Sequence, residues 1–127
     1  MREILFRAKR KDNGEWVYGV PITSGNMAVM YYPAIVCVCE QTVDINTIGQ
    51  FTGLTDKNGT KIFEGDILEL LHKEQRDIRS VIWYNKFMSY ELATNGKVDR
   101  HDGWDFTDCC YSGVVIGNIF DNKELLQ

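Results

Sequence analysis

Three Asn-Gly dipeptides, Asn13-Gly14, Asn58-Gly59 and Asn95-Gly96, punctuate this chain, each at a place where a hairpin fits. Both residues tolerate the positive φ that tight two-strand turns demand, so three such turns argue for antiparallel β structure. The flanks agree. Ile4, Phe6 and Ala8 alternate toward one face ahead of the first turn, and "EWVYGV" follows it, which predicts an N-terminal hairpin.

The run "MAVMYYPAIVCVCE" is rich in β-branched and aromatic residues but carries Pro33, so it is expected to form two strand segments or one kinked edge strand. In "TVDINTIGQ", Asp44 is placed to cap one helical or 3₁₀ turn that Gly49 would end. After residue 60, "KIFEGDILELLHK", "IRSVIWYNKFMSYELAT" and "SGVVIGNIF" are short β-rich stretches at the spacing of a small barrel. "LELLHKEQRDIR" has some helical propensity, yet the pattern around it favours a strand running into a charged loop. In "DNKELL", Asp121 stands three residues before Glu124, which predicts a short C-terminal helix.

The stretch "TDKNGTKIFEGDI" sets architecture more than chemistry. Asp56 suits the first position of a type I turn, and Gly59 the left-handed position that opens a bulged hairpin. A calcium loop would need Gly sixth and Glu twelfth, whereas here Gly59 is fourth from Asp56 and Ile67 is twelfth.

Composition narrows the function classes. At 127 residues, with 44% hydrophobic and 12% aromatic content, the chain can build a real core. Its formal charge of −4 gives no general attraction to nucleic acid or acidic membranes. "MREILFRAKR" has charge inside its short apolar segment, unlike a secretion signal, and no stretch reaches the length of a membrane span. A cytoplasmic location is therefore expected, with Cys37, Cys39, Cys109 and Cys110 as free thiols.

The segment "VDINTIGQFTGLTDKNGTKIFEGDIL" resembles the central signature of the YopX family, small proteins of phages and prophages of bacteria. "FRAKRKDNGEWVYG" is similar to that family's N-terminal hairpin and "GVVIGNIFDNKELL" to its ending, whereas Ile45 departs from the proline common in relatives. The resemblance implies a mainly β fold with short helical turns, in which an irregular β-rich N-terminal part packs on a C-terminal SH3-like barrel. The division is expected at residues 1–61 and 62–127. No established activity and no catalytic residue come with the family.

His101, Asp102, Asp105, Asp108, Cys109 and Cys110 are all possible metal ligands, but adjacent cysteines chelate one tetrahedral ion poorly. An acidic surface loop with one cysteine turned inward accounts for them. Cys37 and Cys39 share one strand face inside the apolar "AIVCVC" and read as core. His72 and His101 sit in no nucleophile motif, and phosphate-loop, dinucleotide and zincin motifs are absent from the sequence. No catalytic, cofactor or metal residue is assigned, and an uncharacterised enzyme is the least favoured alternative.

Two binding readings remain. Trp83, Tyr84, Trp104, Phe106 and Tyr111 form a candidate partner surface, which suits a non-enzymatic module binding a host or phage protein or a further copy of itself. The alternative is single-stranded nucleic acid, with aromatic stacking and phosphate contacts from Arg76, Arg79 and Lys86.

Overall fold

The computed structural model describes residues 3–31, 41–72, 74–85, 88–94, 97–98 and 106–126. The chain is mainly β and divides into two compact units, Met1–Phe51 and Thr52–Gln127. The division falls ahead of the expected one at 61/62.

In the N-terminal unit, β1 (Phe6–Lys9), β2 (Trp16–Ser24), β3 (Met27–Tyr31) and β4 (Gln41–Val43) form an antiparallel meander, and the start of β5 (Gly49–Thr55) pairs with the free side of β1. The first Asn-Gly turn is built as the sequence predicts. Gly14 adopts φ 71 and donates its N–H to Arg10 O at 3.0 Å, while Glu15 N donates to Asn13 Oδ1 at 2.9 Å. β4 is then tied back to the end of the first strand, with Lys11 N donating to Thr42 O at 3.2 Å and Asp44 N to Lys9 O at 2.8 Å. The sheet thus curls around a small core of Ala8, Ala28, Met30 and Val43, backed by Phe6, Val17, Ile45 and Ile48.

Asp44 caps a 3₁₀ turn over Ile45–Thr47, accepting Asn46 N at 3.0 Å. The turn ends at Ile48, one residue before the expected Gly49, which instead opens β5. Thr47 fixes this turn to the sheet: its buried Oγ1 donates to Asp44 O at 2.7 Å and accepts Lys9 N at 2.9 Å.

In the C-terminal unit, β6 (Lys61–Phe63) pairs with β5, and a second sheet has the order β10-β9-β8-β7-β11. Its strands are β7 (Asp66–His72), β8 (Gln75–Tyr84), β9 (Ser89–Thr94), β10 (Lys97–Val98) and β11 (Val114–Asn118). Ile62, Leu68, Leu70, Val81, Leu92 and Cys110 form its core. Each fully buried aliphatic side chain of this kind contributes about 1.5–3 kcal/mol.

The stretch around Asp56 is the joint of this unit. Asp56 Oδ1 accepts Asn58 N at 2.8 Å and Thr60 N at 2.9 Å, and Oδ2 accepts Val115 N at 2.9 Å. Gly59, at φ 83, completes the bulged turn, with its N–H on Asp56 O at 3.0 Å. One carboxylate therefore sets a turn and holds β11, 59 residues further on. Burial alone pushes this carboxyl up, but donation from Val115, Thr60, Asn58 and Gly59 outweighs it and holds Asp56 below its ordinary value.

The same joint explains why the expected SH3-like barrel is not observed: neither sheet closes on itself. β11 pairs with β7 on one side. Its other side is met by the turn, through Val115 N to Asp56 and Lys57 N to Gly113 O at 3.0 Å, and not by β10.

Three further elements differ from expectation. β7 and β8 pair as far as His72 opposite Gln75, with Glu74 at φ 66, so "QRDI" is strand and not charged loop. Residues 106–112 form a helix, α1 (Phe106–Ser112), where an acidic loop was expected. Phe106 and Cys110 lie one turn apart and both reach the core, which holds a segment of modest helix propensity in place. The predicted C-terminal helix is a 3₁₀ turn, Lys123–Leu126, lying against β8. Asn118 organises it, accepting Phe120 N at 3.0 Å and Asp121 N at 2.9 Å on its Oδ1.

Candidate functional site

The predicted aromatic surface is partly assembled, on the C-terminal unit. Trp83 and Tyr90 are cross-strand partners on β8 and β9, with ring centroids 5.1 Å apart in an edge-to-face arrangement. Tyr90 in turn stacks on Phe106 of α1 at 6.4 Å. A row of three rings thus runs from strand to strand to helix. Its inner end is anchored, since Tyr90 and Phe106 pack against the Leu68–Val81 core.

Its outer end is open. Trp83 is 40% exposed, and its indole N–H donates to Asn85 Oδ1 at 2.8 Å, which fixes the ring's orientation without covering its face. Alternation along β8 turns Tyr84 to the opposite face, where it is half-buried, so the two are not one surface. Tyr111 is 53% exposed on α1, and Met88, at φ 51 in the β8–β9 connection, is also exposed. Trp104 lies outside the described residues.

The predicted phosphate contacts fare differently. Arg76 is exposed but engaged with Glu69 at 2.9 Å. Arg79 is only 4% exposed, and its Nε and Nη2 grip the Asp77 carboxylate, the shortest contact being 2.8 Å. It faces the same side as Val81 and stands opposite Leu68, so it is a core ion and not a surface cation. Strand alternation alone could not reveal this, because "RDIRSV" reads as a charged edge. Lys86 lies outside the described residues.

Cys110 is buried and Cys109 half-buried; Cys37, Cys39, His101, Asp102 and Asp105 lie outside the described residues. Among the described residues, no group of three His, Cys, Asp or Glu side chains could hold a metal ion. A recess of about 280 Å³ in the N-terminal unit is bordered by Arg10, Lys11, Asp12, Gln41 and Thr42. The Arg10 guanidinium bonds Asp12 at 2.5 Å and holds that carboxyl below its ordinary range, so much of the recess's charge is already spent.

One surface was missed by sequence reasoning. Tyr18 and Ile22 of β2 are 46% and 58% exposed, and Val20 lies exposed between them on the same face. On β3, Met27 is 59% exposed, with Val29 and Tyr31 half-buried beside it. The available signal was the segment "WVYGVPI" itself, which is apolar in both phases of its alternation. Only one phase can face the curled core.

Comparison with known proteins places the chain. No curated protein matches it. The crystal structure of protein EF1440 from Enterococcus faecalis is similar over 100% of both chains, at a TM-score of 0.61 and 23% sequence identity, a likeness of fold. No helix among the described residues is long and apolar enough to cross a membrane. A model of the YopX protein family matches residues 5–127, spanning the signature around Asp56 and the segments on either side of it, and the chain belongs to that family.

Proposed function

We propose that the protein is a non-enzymatic interaction module, a phage- or prophage-derived accessory protein that acts in the cytoplasm of its bacterial host by binding a host or phage protein. The observation that carries this reading is the Trp83–Tyr90–Phe106 row, whose outer ring is exposed while its inner rings are partly buried against the core. Interfaces draw most of their affinity from a few Trp, Tyr and Arg anchors. An anchor already held in one orientation loses little freedom on binding. The hydrogen bond from Trp83 to Asn85 provides that restraint.

The test is retention of host-cell proteins on immobilised wild type and on Trp83→Ala, with and without nuclease. A nuclease-resistant protein retained by wild type and lost from Trp83→Ala supports the reading. Equal retention by both chains removes Trp83 from it. Nuclease-sensitive retention favours the single-stranded nucleic-acid alternative, in which Trp83 would be a stacking platform.

A further inference from the structure

The Asn-Gly pairs that set two turns also carry a chemistry the turns do not use. Glycine has no side chain to shield its amide nitrogen, so that nitrogen can attack the Cγ of the preceding asparagine. Asn13-Gly14 and Asn58-Gly59 are both exposed, and Asn95-Gly96 lies outside the described residues. In the sequence the two pairs are equivalent, and in the fold they are not.

We propose that Asn13 is a site of spontaneous deamidation in the folded protein, and that the Asp56 joint withholds Asn58 from the same reaction. The Gly14 nitrogen gives its proton to water or hydroxide and forms a bond to Asn13 Cγ, and the side-chain nitrogen leaves as ammonia. Water then opens the cyclic imide at one of its two carbonyls. Opening at the side-chain carbonyl leaves an aspartate. Opening at the main-chain carbonyl leaves an isoaspartate, with the backbone running through Cγ. The net change is water taken up and ammonia released, so the step needs no cofactor and no partner.

Attack requires rotation about the asparagine Cα–C bond, to bring nitrogen and Cγ together, and this carries the glycine N–H away from its acceptor. At Asn13 the acceptor lost is one backbone oxygen, Arg10 O at 3.0 Å, and residues 11–15 are all exposed, so water replaces it. The Asn13 carboxamide is already turned toward the following peptides, since its Oδ1 accepts Glu15 N at 2.9 Å. That bond draws electron density from Cγ, as a donor to a developing oxyanion does.

At Asn58 the same rotation breaks more. Gly59 N leaves Asp56 O, and the flanking amides Asn58 N and Thr60 N are pinned to Asp56 Oδ1 at 2.8 and 2.9 Å. Asp56 is buried and held in turn by Val115 N, and Lys57 N is tied to Gly113 O, so this turn does not open alone. The Asn58 carboxamide makes no hydrogen bond among the described residues, so freedom of the backbone, and not of the side chain, separates the two sites. Conversion at Asn13 adds a carboxylate to residues 1–51, which hold five Lys or Arg and five Asp or Glu and so become net negative. Isoaspartate also lengthens the turn that sets the β1–β2 register.

The test follows the full chain at mildly alkaline pH by peptide mapping, reading the mass gained when amide becomes acid and the isoaspartate formed. The same chain unfolded in guanidinium supplies the reference rate of each site. Relative to that reference, Asn13 should convert about tenfold faster than Asn58 in the native protein, as loss of a bond to a charged acceptor implies. Asn13→Gln should remove the native modification. In a folded Asp56→Ala variant, Asn58 should approach its unfolded rate while Asn13 keeps its native one, and an unchanged Asn58 there overturns the part given to Asp56. The wild-type ratio stands whether or not that variant folds. A normalised ratio near unity, or one that favours Asn58, overturns the proposal, and neither result bears on the Trp83 surface.

Discussion

The N-terminal unit holds its sheet together with small and flexible side chains and buries Arg7, whereas the C-terminal unit holds its own with larger aliphatics and several buried ions. In the first, Ala8, Ala28, Met30 and Val43 fill the space inside a curled meander. In the second, Asp56, Asp66, Arg79 and Glu91 are buried alongside Leu68 and Val81. The difference follows from what each must join. A meander bonds neighbours along the chain, and turns such as Asn13-Gly14 set its register locally. The C-terminal unit must bring β11 back to β7 and seat a turn against it, and a carboxylate that accepts several backbone N–H groups does this at a chosen point.

The largest test of this contrast is Asp56→Ala, which strips the acceptor from Asn58, Thr60 and Val115 N–H together. A loss of about 4 kcal/mol is expected in urea unfolding. A loss below about 1 kcal/mol would mean the joint is not held there. Asp56→Asn should cost less and should also change the pH response. The folded-state carboxyl lies below its ordinary value of 3.8, so its contribution is present above that pH and fades as pH falls below it. The wild type should lose stability in that acid range more steeply than Asp56→Asn.

Leu68→Ala comes next, at about 3 kcal/mol, as a cavity in a fully buried site. Indole fluorescence would sharpen the comparison, since Trp16 reports on one unit and Trp83 on the other. Gly19→Ala tests the N-terminal unit by crowding instead. Its Cβ would lie within 2.3 Å of Tyr31 O, so β3 must move away from β2, at about 2 kcal/mol. Amide exchange should accelerate in β2 and β3; unchanged protection there would show that the strand pair yields freely. Arg76→Ala should alter stability by only a few tenths of a kcal/mol, because its partner Glu69 is partly exposed and the pair is screened. A larger change in the same urea titration would give this surface pair a structural part.

Local features were legible in the sequence because their causes are local. Asn13-Gly14, Asp56 with Gly59, and the Asp44 cap each combine side-chain hydrogen bonding with tolerated backbone angles inside a few residues. Features that depend on distant partners were not. Arg79 reads as a surface cation until Asp77 and the face shared with Val81 are seen. The helix at Phe106–Ser112 has weak local support and exists through contacts with the core. Part of the candidate site was readable: Trp83 is exposed as expected, while Tyr84 departs to the other face.

The sequence by itself determined that the chain would be antiparallel β and where two of its tight turns fall, because turn chemistry and alternation act over a few residues; its family showed in the resemblance of its central and terminal segments. Tertiary structure alone decided that the last sheet stays open, that Arg79 is internal, and that Tyr18, Val20 and Ile22 face outward. Each of those outcomes rests on which distant strand, turn or carboxylate occupies the space beside a residue. Spacing along one strand carries no information about that neighbour.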